Sequence, residues 1–221
     1  MGITKNIHEI IIIDYQLGNL FSVNQALVNI GLRPRISSDP KDIAKASAIV
    51  LPGVGAFGDA MKNLNEMGLA EPIKEYVRSG RPFLGICLGL QLLFDDSEEF
   101  GATKGLGLIS GKVKRFNREQ LSGQGLKVPQ IAWNQIFSGD NRFWDKTPLM
   151  GVKQGEYLYF VHSYYVDPQE DVALTYTVYG QTKYVSSVIK NNIFACQFHP
   201  EKSAAEGLKI YKNWAVQNGL L

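Results

Sequence analysis

Phe83-Leu84-Gly85-Ile86-Cys87-Leu88-Gly89-Leu90-Gln91-Leu92-Leu93-Phe94 is the stretch that decides the fold. Its first four residues form an apolar run, as expected of a strand buried on both faces. Gly85-Ile86-Cys87-Leu88-Gly89 then has the form G-x-C-x-G. The residues from Leu88 to Phe94 are apolar except Gly89 and Gln91, and predict a helical run. Strand, tight turn and helix in this order make the thiol version of a nucleophile elbow, with glycines permitting the turn and the thiol held out at the strand end. The helix that follows favours a thiolate at its N-terminus. The stretch is too short to cross a bilayer, and Gln91 interrupts it.

The same unit occurs twice upstream. Residues 10–13 are four consecutive isoleucines and read as a strand, followed by a turn over 14–19 and a helix over 20–30 that stops at Gly31. Residues 48–51 read as a strand, Pro52-Gly53-Val54-Gly55 as a loop, and 59–67 as a helix. A further helix begins near Pro72 and ends at Ser79-Gly80. Three strand–loop–helix units predict an α/β fold with a central, mostly parallel sheet flanked by helices. From Gly105 to about Tyr184 the pattern favours an added antiparallel β section, with strands over 112–116, 157–166 and 172–179 and a polar loop over 117–127. Ser203-Ala204-Ala205-Glu206 reads as a capping box opening a last helix, with Leu208, Tyr211 and Trp214 on one face.

Bulk properties narrow the function class. The chain has 221 residues, a length that suits a single domain, 1–221. Its net charge of +2, with acids and bases mixed, lacks the basic stripe of a nucleic-acid binder. No membrane span or signal peptide is expected, and Asn6 breaks the myristoylation pattern. Two cysteines, Cys87 and Cys196, are expected to be reduced thiols of a cytoplasmic enzyme, with no metal site and no cofactor. Cys196 reads as a small buried hydrophobe.

A thiol nucleophile needs a base. Of three histidines, His8 reads as a surface residue, and His162, inside an aromatic strand, stands second as a base. His199 follows a strand-like segment and precedes Pro200-Glu201. Proline keeps the preceding residue extended, so His199 and Glu201 point the same way. Glu201 can then fix the ring tautomer, leaving the other nitrogen for Cys87. The Leu88 N–H faces the place where an oxyanion would form.

With these residues in view, the chain resembles class I glutamine amidotransferases. Within them it is similar to glutaminase subunits that feed ammonia to a (β/α)-barrel cyclase closing an imidazole ring. The matching segments are Asp14-Tyr15-x-x-Gly18-Asn19, Pro52-Gly53-Val54-Gly55, the elbow through Phe94, Gly105-Leu106-Gly107-Leu108, Trp133-Asn134, Phe160-Val161-His162-Ser163-Tyr164 and His199-Pro200-Glu201-Lys202-Ser203. The resemblance implies Cys87, His199 and Glu201 as catalytic residues. It implies glutamine held by Gly55, Gln91, Glu99, Ser163 and Tyr164, and an oxyanion site of Gly53, Val54 and Leu88. The Gly53–Val54 peptide is expected to turn only when a partner binds. Trp133, Tyr157, Tyr159 and Lys202 resemble interface and gate positions. Two positions depart from the pattern: Gln130-Ile131-Ala132 replaces the usual His-x-Gly before Trp-Asn, and Gln16 replaces a glycine. An ammonia-dependent amidotransferase of cell-surface sugars is the alternative partner, and a stand-alone cysteine hydrolase of related fold the rival enzyme.

Overall fold

The structure, a computed structural model, describes residues 8–139 and 144–221; the position of Asn6 lies outside the described residues. The first half alternates: β1 (Ile10–Ile13), α1 (Leu20–Asn29), β2 (Pro34–Ser37), α2 (Pro40–Lys45), β3 (Ala48–Gly53), α3 (Phe57–Glu66), α4 (Ala70–Arg78), β4 (Phe83–Cys87) and α5 (Leu88–Gln91). The second half is mostly strand: β5 (Asp96–Ser97), β6 (Thr103–Lys104), β7 (Gly111–Arg115), α6 (Arg118–Ser122), β8 (Gln130–Ser138), β9 (Glu156–His162), β10 (Tyr164–Pro168), β11 (Ala173–Tyr179), β12 (Thr182–Lys190) and β13 (Ile193–Cys196). A 3-10 turn, Pro200–Lys202, leads into α7 (Ala204–Gln217).

The strands order as β2-β1-β3-β4-β13-β12-β10-β7-β5-β6. The first five are mutually parallel, and β12, β10 and β7 continue the sheet antiparallel. The pair β8–β9 joins through β11. The isoleucine run shows why this sheet is buried. Ile11 and Ile13 enter one core with Leu51, Phe57, Ile73 and Tyr76, whereas Ile10 and Ile12 enter the other with Val23, Leu27, Tyr211 and Trp214. Side chains alternate along a strand, so only a run that is apolar at every position can serve both layers.

This order positions the site. In β3–β4 register Gly53 lies opposite Cys87, and in β13–β4 register Cys196 lies opposite Ile86. Three adjacent parallel strands therefore end together, delivering the 52–55 loop, Cys87 and the 197–201 segment to one edge. Such carboxyl ends are where open α/β sheets bind ligands.

Three local expectations need correction, and one pair of elements had no expectation. The helix after Cys87 is a single turn, because the carbonyls of Leu92 and Leu93 are taken by the N–H groups of Leu106 and Leu108, each at 2.8 Å. Ser203 makes no capping bond. Its hydroxyl instead donates to the His199 carbonyl at 2.7 Å and accepts from the Tyr159 N–H at 3.0 Å. The 117–127 stretch contains α6, whose cap is Asn117, accepting from the Gln120 N–H at 3.0 Å. After Gly31 come β2 and α2, the latter opened by Asp39 as cap and Pro40 in its first turn, a start signal that the sequence reading passed over.

Candidate active site

Cys87 sits at φ 54°, ψ −108°, a left-handed φ that non-glycine residues adopt at a cost. The surrounding structure holds it there by close packing at both flanking glycines. A Cβ on Gly85 would stand 2.9 Å from the Ala195 Cβ, and one on Gly89 only 1.8 Å from the Leu51 carbonyl oxygen. Neither glycine has a positive φ, so both are required by space and not by conformation. The thiol is 5% exposed at a cavity of about 230 Å³. The sulfur lies 3.8 Å from the Val161 carbonyl oxygen and accepts from the Gln197 side-chain amide at 3.5 Å.

His199 is extended, as its place before proline requires, with φ −103° and ψ 95°. Its Nδ1 lies 2.7 Å from Glu201 Oε1, and the Tyr211 hydroxyl donates to Glu201 Oε2 at 3.3 Å. Both partners are buried, with side-chain exposures of 2% and 1%. Nε2 is buried and without a hydrogen-bond partner among the described residues. Burial opposes a charge on this ring, but the Cys87 thiolate and Glu201 outweigh it and raise the pKa to about 10. His199 is therefore held as an imidazolium facing the thiol, with the tautomer set by Glu201. The main chain locks it further: its N–H donates to the Tyr159 carbonyl at 2.9 Å, and Ser203 bridges the same two residues.

His162, the second choice for base, is committed elsewhere. Nδ1 meets the Tyr164 carbonyl at 2.8 Å and Nε2 the Tyr184 hydroxyl at 3.2 Å. Burial, opposed by the Tyr164 carbonyl and aided by the charge of His199, pushes it down to about 4, so it is neutral at pH 7. His8 is half-buried. Cys196 is buried and unpaired, its thiol 3.4 Å from the Phe198 carbonyl.

The cavity is lined by Cys87, Val54, Gly55, Leu88, Gln91, Glu99, Ser163 and Tyr164, together with Pro129, Val161 and His162. All five residues expected around glutamine are thus brought together beside the thiol. The Gln91 amide nitrogen is already engaged, donating to the Tyr164 carbonyl at 3.0 Å and to Gln197 Oε1 at 2.9 Å. Glu99 accepts from the Phe57 N–H at 2.7 Å, and burial raises its pKa more than that bond lowers it. Gln197 was missed by the sequence reading. It is fully buried and links Gln91 to the Cys87 sulfur. Its position two residues before His199 was the available signal, since alternate residues of an extended chain share a face.

Trp133, Tyr159 and His199 form a chain of edge-on rings, with centroids 6.2 Å and 6.4 Å apart, and Lys202 Nζ lies 5.5 Å from the Tyr159 centroid. Tyr157, two residues from Tyr159 on β9, and Trp133 are about half exposed, at 52% and 49%. With Ile131 and Phe137 they leave an apolar face open on β8–β9. The departure at Gln130 does not lie on that face. Its side chain is fully buried and accepts from the Tyr184 hydroxyl at 3.0 Å. Gln16 has φ 69°, a left-handed turn that suits the glycine usual there. Among the described residues no group of three or more His, Cys, Asp or Glu could hold a metal ion, and no helix is long and apolar enough to cross a membrane.

Comparison with known proteins bears on the family and the fold. The family model for glutamine amidotransferase class-I matches residues 11–218. A protein of Syntrophotalea carbinolica named imidazole glycerol phosphate synthase subunit HisH is 49% identical over 208 residues, covering 93% of this chain and 98% of its own. Its namesake in Aquifex aeolicus is 47% identical over 207 residues, 92% and 94% of the two chains. Among solved structures, a glutamine amidotransferase superposes with TM-score 0.70 at 16% identity over 95% of this chain and 98% of its own. PurLQS of Thermotoga maritima gives 0.69 at 19%, over 94% and 97%. With a matched family model over most of its length and an elbow cysteine beside a buried His–Glu pair, the chain belongs to the class-I glutamine amidotransferase family.

Proposed function

We propose that the chain, acting as one domain over 1–221, is the glutaminase subunit of imidazole glycerol phosphate synthase. It hydrolyses glutamine to glutamate and ammonia, and a synthase subunit uses the ammonia to make imidazole glycerol phosphate and AICAR in histidine biosynthesis. The observation that carries the chemistry is the buried His199–Glu201 pair at 2.7 Å beside an elbow thiol that opens on a cavity.

The Cys87 thiolate adds to the side-chain amide carbon of glutamine, and the oxyanion is met by the Leu88 and Val54 N–H groups. His199 gives its Nε2 proton to the leaving nitrogen, and ammonia departs as the thioester forms. Neutral His199 then takes a proton from water, whose hydroxide displaces the thiolate and frees glutamate. Glu201 keeps the tautomer right in both steps. Gly55, Glu99, Ser163 and Tyr164 hold the substrate, with Glu99 toward its α-amino group. Gln91 contributes its oxygen, since its nitrogen is engaged within the protein.

The partner is a (β/α)-barrel cyclase subunit, docking as a heterodimer over Trp133, Tyr157, Tyr159 and Lys202. The Tyr159 main chain, bonded to His199, ties that surface to the triad. The test uses Cys87→Ala in the complex. Glutamine-dependent synthesis should vanish while synthesis from added ammonia continues. Persistence of the glutamine-dependent reaction would refute the assignment.

A further inference from the structure

Tyr15 carries a hydroxyl that the described fold does not use. The side chain is 1% exposed and packs in the core with Leu51, Phe57 and Leu88. Its hydroxyl is buried without a hydrogen-bond partner among the described residues, which costs free energy unless another state supplies one. The hydroxyl is also specifically placed. A Cβ on Gly53 would stand 2.0 Å from it and 2.9 Å from the Leu88 Cβ. Gly53 has no positive φ, so the glycine there serves close approach: it lets the Tyr15 hydroxyl reach the backbone of the 52–55 loop. Tyr15 does not line the cavity, whereas Val54 and Gly55 do, so the hydroxyl touches the loop from its core side.

A planar peptide that turns its N–H toward the cavity turns its carbonyl to the opposite side. For the peptide between Gly53 and Val54, the side away from the cavity is where the Tyr15 hydroxyl and Leu88 approach Gly53, and a carbonyl buried there needs a donor. We propose that Tyr15 is a positioning residue for this loop, its hydroxyl donating to the Gly53 carbonyl whenever the Val54 N–H faces the cavity. Two buried groups that each lack a partner alone satisfy each other in the competent state. The competent loop is thereby favoured without any new contact to substrate.

The proposal rests on the glutaminase reading, and the test separates the two. Wild type and Tyr15→Phe are compared by steady-state glutamine hydrolysis as the complex with the cyclase subunit, and by thermal unfolding of the full chain alone. The variant should lose roughly tenfold in kcat, less than the roughly 100- to 1,000-fold of removing an oxyanion donor itself. KM for glutamine should stay within about twofold, since the bond is made for the transition state and not for substrate binding. Tm of the chain alone should be no lower than wild type, because the resting hydroxyl has no partner to lose. An unchanged kcat beside an active wild type overturns the Tyr15 assignment alone, as does a lowered Tm of the chain without its partner, which would mean the hydroxyl is already bonded at rest. A wild-type complex that does not hydrolyse glutamine overturns both readings.

Discussion

Gly89→Ala is expected to be among the most damaging single-methyl additions in the chain. The added Cβ would stand 1.8 Å from the Leu51 carbonyl oxygen, and 2.9 Å from its carbon. Ordinary C···O contacts begin near about 3.3 Å, so the two backbones must separate by roughly 1.5 Å. Neither can give way cheaply. Leu51 lies on β3, hydrogen-bonded in register to β4 and flanked by β1, and Gly89 is in the turn that holds Cys87. Overpacking costs about 1–3 kcal/mol when side chains absorb it, and here only backbone can, so a loss of about 3 kcal/mol or more is expected. Gly80→Ala is the control. Gly80 has φ +79° with nothing within 4 Å of a new Cβ, so only backbone strain of about 1–2 kcal/mol applies. Urea unfolding followed by circular dichroism reads the difference. With a slope of roughly 2–3 kcal/mol per molar, the Gly89→Ala midpoint should fall by about 1 M or more. The folded fraction should also lose glutaminase kcat, because Leu51 leads directly into the 52–55 loop. Equal midpoints for the two variants, or full activity in folded Gly89→Ala, would refute the claim that close backbone packing builds the elbow.

Cys87→Ser should lower the His199 pKa from about 10, because the thiolate that favours the imidazolium is removed while Glu201 remains; imidazole NMR titration showing no shift would contradict this. His162, held near 4 in the fold against about 6.5 unfolded, binds its proton more readily when unfolded, so its contribution is present above pH 6.5 and lost as pH falls through 4. That difference corresponds to about 3 kcal/mol, and His162→Gln should flatten the pH dependence of urea stability in this window; an unaltered slope would count against it. Gln197→Leu should lower kcat by roughly tenfold and cost about 1–3 kcal/mol, by removing the amide that reaches the thiol and leaving one of the two Gln91 N–H bonds without its acceptor; unchanged kinetics would show the Gln197–sulfur contact to be idle.

The α/β class, the buried strands and the elbow were legible in the sequence because each is local. Four consecutive isoleucines fit a strand buried on both faces of a sheet, and a cysteine between two glycines, after an apolar run and before a helical one, fits a tight nucleophile turn. His199-Pro200-Glu201 was legible for the same reason, since proline sets the geometry of its neighbour. The helix through Phe94 was misread because distant Leu106 and Leu108 claim its carbonyls, and the Ser203 cap because distant Tyr159 claims its hydroxyl. Gln130 departs from the family's pattern three residues before Trp133, an interface position by resemblance. Only the pairing of β8 with β9 showed its side chain turned inward to Tyr184. Periodicity and motif chemistry thus determined which residues could react and the class of fold that holds them. The tertiary structure decided which long-range partners compete for each polar group, and so placed Gln197 on the thiol and Tyr15 behind the loop.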